Sequence, residues 1–116
     1  MVRLIRRWWR WLNARLRRPW WREIHYCDAA DELPTRLAPR ILYLVGAVGH
    51  EKWAVFACPC GRDHAAWLNL QRSQRPRWRI GGRGLSRGLR PSVWLNAPWG
   101  CHFWIWRGRV VWVSDC

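Results

Sequence analysis

Lysine is almost absent from this chain: Lys52 is the one lysine among 21 Lys+Arg residues, so its positive charge is carried by guanidinium groups. Acids are scarce too, seven Asp+Glu in all, which leaves a net charge of +14. No apolar run approaches the roughly 20 residues that cross a bilayer, which excludes a transmembrane helix. The first twenty residues alternate Arg with Trp and hold no clean apolar core or small-residue cleavage site. A secretory leader is therefore excluded and a cytoplasmic location is expected. G-x-S-x-G, H-E-x-x-H and a phosphate-cradling glycine loop are all missing, and the GGRG stretch lacks the strand-to-helix setting of a nucleotide site.

What is present is apolar and aromatic. Half of the 116 residues are hydrophobic and 24% are charged, the balance of one folded domain. Thirteen tryptophans are more than so short a chain can bury, so several are expected half-exposed or in an interface. Five cysteines (Cys27, Cys58, Cys60, Cys101 and Cys116) form an odd, irregularly spaced set. In a reducing compartment that pattern points to metal ligands or buried thiols before disulfides.

The charge sits in two blocks. Residues 1–22 carry eight arginines and no acid, and residues 72–90 carry seven arginines and no acid. The first block predicts a basic, amphipathic arm: Leu4, Trp8, Trp11 or Leu12, and Leu16 share a helical face, and Pro19 ends the helix. Such a helix suits an anionic membrane surface, nucleic-acid phosphates or its own domain. The second block is Gly- and Arg-rich around a short strand at Trp78–Ile80, a charged hairpin loop or a stacking platform for bases.

From residue 23 to 116 the pattern predicts a single β-rich domain. Short apolar runs at Ile41–Val45, Trp53–Ala57, Trp67–Leu70 and Val93–Leu95 read as strands. CHFWIW-RG-RVVWVS reads as a hairpin turning at Arg107–Gly108, with His102, Trp104 and Trp106 on one face and Cys101, Phe103 and Ile105 on the other. The expectation is a mainly β fold, one small antiparallel sheet with a C-terminal hairpin, stapled by zinc, plus the N-terminal helix.

The zinc expectation rests on Cys58-Pro-Cys60-Gly61, a tight pair after a strand, where zinc takes four Cys or His ligands. Cys101, with His64 or His102, supplies the other half. Neighbours Cys101 and His102 point to opposite faces of a regular strand, so either a bulge intervenes or His64 completes the set. The alternative is that Cys58 and Cys60 are small core hydrophobes. Ser92 and His102 form a candidate nucleophile and base, with Asp63 or Asp115 as a third group and Cys101 as a rival nucleophile. Their alternative roles are a strand hydroxyl and a core or metal histidine.

The order DELPTRLAPRILYLV, FACPCG, WLNL, RPRW, LRPSVW and GCHFWIWRGRVVW resembles the small bacterial family called domain of unknown function 6527 (DUF6527), over about residues 24–114. Relatives lie beside bacterial ubiquitin-like conjugation genes. The resemblance therefore implies a serine peptidase acting on a ubiquitin-like protein or its conjugates, with Ser92 as nucleophile and His102 as base. It also implies that Cys58, Cys60 and Cys101 are family cysteine positions, whereas Arg62 and Trp99 stand where relatives commonly carry cysteine. Two readings result: a zinc-stapled hydrolase, and a non-catalytic basic module for nucleic acid or an acidic protein or membrane surface.

Overall fold

A computed structural model describes residues 18–96, 99–114 and 116. The expected N-terminal helix falls on residues outside the described ones. Among the described residues, helix is confined to two single 3-10 turns, and none is long and apolar enough to cross a membrane.

Eight strands form two four-stranded sheets. The first sheet contains β1 (Glu23–Cys27), β2 (Ile41–Ala47), β3 (His50–Ala57) and β4 (Ala65–Asn69), in sequence order. The second contains β5 (Arg79–Gly81), β6 (Gly88–Leu95), β7 (Cys101–Trp106) and β8 (Arg109–Ser114), also in order. The expectation of one sheet is corrected to two, and β1 was not anticipated. That strand, EIHYC, is mostly solvent-facing and pairs parallel with β2, so it lacks the apolar run by which the others are read.

The two sheets face each other across one core. Leu42, Leu44, Ala54, Phe56, Ala66 and Leu68 enter it from the first sheet, and Leu89, Val93, Phe103 and Ile105 from the second. Phe56 and Phe103 meet edge to face across the interface, 6.2 Å between ring centroids. Trp21, 1% exposed, closes the core upstream of β1 and donates its indole N–H to the Arg87 carbonyl at 3.0 Å.

β2 is buried on both faces, which explains its unbroken apolar sequence. Its second face, Ile41, Tyr43 and Val45, is covered by Leu33, Leu37 and Ala38 from the parallel crossover, and the Ala38 N–H donates to the Tyr43 hydroxyl at 3.2 Å. The β7–β8 hairpin turns as the sequence predicts. Arg107 (φ 50°) and Gly108 (φ 75°) both lie in the left-handed region that a two-residue primed turn demands. A Cβ at Gly108 would collide with the Leu85 carbonyl oxygen, so the turn also requires glycine for space.

Asn69 ends β4 buried and fully engaged. Its Nδ2 donates to the carbonyls of Gln71, Gln74 and Pro76, and its Oδ1 accepts the Gln71 N–H. Its own carbonyl accepts the Trp78 N–H at 2.8 Å. Trp78 in turn donates from its indole to the Ser92 carbonyl at 3.4 Å, tying the link between the sheets to the middle of β6.

Candidate active site and metal centre

Strand alternation decides the first cluster. On β7, Cys101, Phe103 and Ile105 are buried while His102, Trp104 and Trp106 are half-exposed. On β6, Leu89 and Val93 point inward, leaving Ser92 and Trp94 on the outer face. The two strands pair with Trp94 opposite His102. This places the Ser92 Oγ 2.9 Å from His102 Nε2, a hydrogen-bond distance that suits proton transfer from the hydroxyl. The Trp94 ring lies nearly parallel to the imidazole, 16° between planes and 5.3 Å between centroids.

No carboxylate among the described residues lies within 4.0 Å of the His102 ring, so Asp63 does not orient it. Asp115 lies outside the described residues. Trp94 is the imidazole's described flanking partner. Its role was not read from the sequence, although its place two residues after Ser92 on an alternating strand is the signal that would have found it.

The second cluster lies at the inward end of the same hairpin. Cys58, Cys60, His64 and Cys101 each offer one ligand atom, and all four atoms lie within 4.8 Å of one another. Cys60 Sγ is 3.1 Å and Cys101 Sγ 3.6 Å from His64 Nε2. The loop between β3 and β4 is folded to make this possible. The Cys58 N–H donates to the His64 carbonyl at 3.0 Å, the Gly61 N–H to the Cys58 carbonyl at 3.2 Å, and the Arg62 N–H to the Cys60 sulfur at 3.4 Å. Gly61, at φ 84°, allows that tight turn.

Zinc bonds of about 2.0–2.3 Å put tetrahedral ligands within roughly 4 Å of each other, and this donor set of thiols and imidazole fits. His102, which competed with His64 for this role, stands on the opposite face of β7 beside Ser92. Cys101 and Ser92 are likewise on opposite faces, so Cys101 does not share His102.

Burial shifts two members of the cluster. Burial, the largest influence, pushes the Cys58 thiol up to about 12, with the neighbouring Cys60 acting in both directions. A thiol held neutral in this way is deprotonated by a bound metal. Burial first, then the Arg62 charge, holds His64 below the ordinary histidine value, which favours the neutral ring.

Cys101 is joined by a disulfide to Cys116, their Cα atoms 4.2 Å apart. The expectation of thiols or metal ligands before disulfides is corrected at this pair, because the hairpin register carries the end of β8 back beside the start of β7. A disulfide sulfur is not a thiolate, so this bond and a metal draw on the same Cys101 sulfur. Around the cluster, Arg62 stacks over Trp99 at 5.2 Å, Trp99 lies 4.9 Å from His64, and an Arg62 guanidinium nitrogen donates to the Cys116 carbonyl at 3.2 Å. Arg62 and Trp99 thus pack together beside His64 and Cys60.

Two sheets enclosing a core, a serine–histidine pair on the outer face of one of them and a cysteine–histidine cluster on its inner side define a β-rich protein with a candidate nucleophile–base pair and a candidate metal centre. The chain belongs to the bacterial ubiquitination-like system serine protease family (BubE), whose sequence model matches residues 29–113. That span contains Ser92, His102 and the four-residue cluster. No curated protein and no solved structure matches the chain.

Proposed function

We propose that this protein is a serine protease that hydrolyses the bond joining a ubiquitin-like modifier to a tail or target, with Ser92 as nucleophile and His102 as general base. The observation that supports it most is the 2.9 Å contact between Ser92 Oγ and His102 Nε2, within a chain of a serine-protease family.

In this reading His102 takes the hydroxyl proton on Nε2 as Ser92 Oγ attacks the scissile carbonyl carbon. The resulting imidazolium gives that proton to the departing amine, leaving an acyl ester on Ser92. A water then enters, His102 accepts one of its protons, and the ester collapses to a carboxylic acid and free Ser92. Trp94, flat against the imidazole, restricts its tilt and shields one face from water.

Zinc is the ion that the second cluster suits, held by Cys58, Cys60, His64 and Cys101 with Cys101 reduced. Four protein ligands close a tetrahedron, which makes the ion a structural staple and leaves no open position for substrate. Its place on the inner side of β7 fits that role, because it would fasten the β3–β4 loop to the strand that presents His102.

The test is cleavage of a ubiquitin-like modifier from the same bacterial system, carrying a C-terminal reporter. The wild type is expected to release the reporter, and Ser92→Ala to slow release by at least about a thousandfold with the fold intact. Equal turnover by the two proteins would contradict the assignment.

A further inference from the structure

The outer face that carries Ser92 and His102 continues into a groove of 720 Å³, in which Arg79, Arg90 and Arg107 stand among Trp104, Trp106 and the backbone of Gly81. Arg90 precedes Ser92 by two residues on β6, and Trp104 follows His102 by two residues on β7. On β7 alternation puts His102 and Trp104 on one face, roughly 7 Å apart, and on β6 the exposed Arg90 and half-buried Ser92 flank the inward-facing Leu89 and Val93 on either side of a bulge.

Arg79 and Arg90 are directly opposed across the β5–β6 ladder, and both are exposed. Like charges in opposed positions disfavour a sheet. Among the described residues no carboxylate lies within 4.0 Å of either guanidinium to offset the repulsion. Arg107, seated over the Trp106 ring at 4.9 Å, adds a third positive charge to the same groove. A ligand that supplies negative charge would relieve the repulsion.

We infer that this groove binds an extended, acidic segment of the protein substrate, with Arg79 and Arg90 holding a carboxylate side chain about two residues from the scissile bond. This rests on the protease reading above and deepens it by naming what the enzyme recognises beside the bond it cuts. A peptide is preferred to a nucleic acid because Trp104, which lines the groove, follows His102 by two residues on β7, so an extended chain held there lies close to the Ser92–His102 pair. Its backbone also has a glycine floor to lie against. A Cβ at Gly81 would meet nothing within 4 Å, so the space above that residue is open.

The experiment measures binding, so that it does not depend on catalysis. A fluorescent peptide of about ten residues, glutamate-rich and extended, is titrated into the Ser92→Ala protein, beside a glutamine-substituted peptide and a single-stranded oligonucleotide of equal charge. The acidic peptide is expected to bind at least about tenfold more tightly than the neutral one. Arg79→Glu with Arg90→Glu is expected to remove that preference. Gly81→Leu fills the groove without changing charge or demanding a left-handed backbone, and is expected to weaken the peptide about tenfold while the melting temperature holds.

Equal affinity for the acidic and neutral peptides, or no loss in either variant, would overturn the inference. An oligonucleotide that binds as tightly and responds to the same substitutions would also overturn it, by showing a general polyanion surface. Should the wild type cleave its substrate while the groove variants bind unchanged, the groove fails and the protease reading stands. Peptide binding with these losses, in a protein that cleaves nothing, would separate them the other way.

Discussion

Trp94 is the most exposed of the large hydrophobic side chains around the Ser92–His102 pair, at 63%. An indole left this open in a small domain contributes little to stability, and its stacking on His102 gives it another role. Trp94→Ala is expected to slow acylation of Ser92 by about tenfold while the unfolding free energy changes by no more than about 0.5 kcal/mol. A comparable loss of stability would assign the ring to folding instead.

Ser92 and His102 were legible as a pair of residue types ten positions apart, but not as a contact. The β6–β7 register joins them, and register is a property of two strands. Cys27 shows the residue scale working on stability. Burial, then the charges of Glu32 and Asp28, raise its thiol above the ordinary cysteine value. The folded state therefore keeps a proton that the unfolded state loses. This contribution is whole below that value and disappears as pH rises through the folded-state value. Cys27→Val is expected to flatten the fall of melting temperature above about pH 9, measured beside the wild type.

At the scale of elements, the C-terminal hairpin was the most readable part of the chain. Its alternation is strict, its turn is two residues long, and both signals are local. The strands at Ile41, Trp53 and Trp67 were readable from apolar runs for the same reason. The division into two sheets was not, because nothing in a strand's own sequence says which distant strand covers it. β6 was read too short: Pro91 suggests a strand start, yet pairing begins at Gly88, upstream of the proline. Phe103 is where the two sheets meet, packed between Phe56 and Trp112 with no exposure. Phe103→Ala is expected to cost about 3–5 kcal/mol by denaturant unfolding, since the opposed sheets cannot collapse onto the space left. A loss under about 1 kcal/mol would mean that the sheets are not held together there.

For the whole molecule, the cysteines couple the two faces of β7. The CPC pair and its companions at 64 and 101 were readable as ligand types, and alternation on β7 decides that Cys101 goes inward and His102 outward. Cys116 was not assigned a partner from the sequence: the two-residue turn returns the end of the chain to the start of β7, but a register shift between His102 and Phe103, which no local signal marks, sets where it arrives. One sulfur serving either a disulfide or a metal has a direct consequence. The protein kept reduced by a phosphine is expected to take up one equivalent of zinc and melt higher, and the oxidised protein to take up far less. Cys116→Ser, unable to form the bond, is expected to bind zinc without any reductant, and Cys58→Ser to lose it in both conditions. Elemental analysis and cobalt absorption read these outcomes, and zinc uptake by Cys58→Ser would remove the centre as assigned.

The central claim is that an imidazole on one strand activates a hydroxyl on the next, and covalent labelling tests it most directly. A fluorophosphonate probe reacts with a serine whose proton is being drawn off and leaves a phosphonyl ester that peptide mapping can place. The wild type is expected to carry one label, on Ser92, and His102→Ala to react slower by at least about a hundredfold with its melting temperature retained. A wild type that takes no label, or takes it on another residue, would contradict the account.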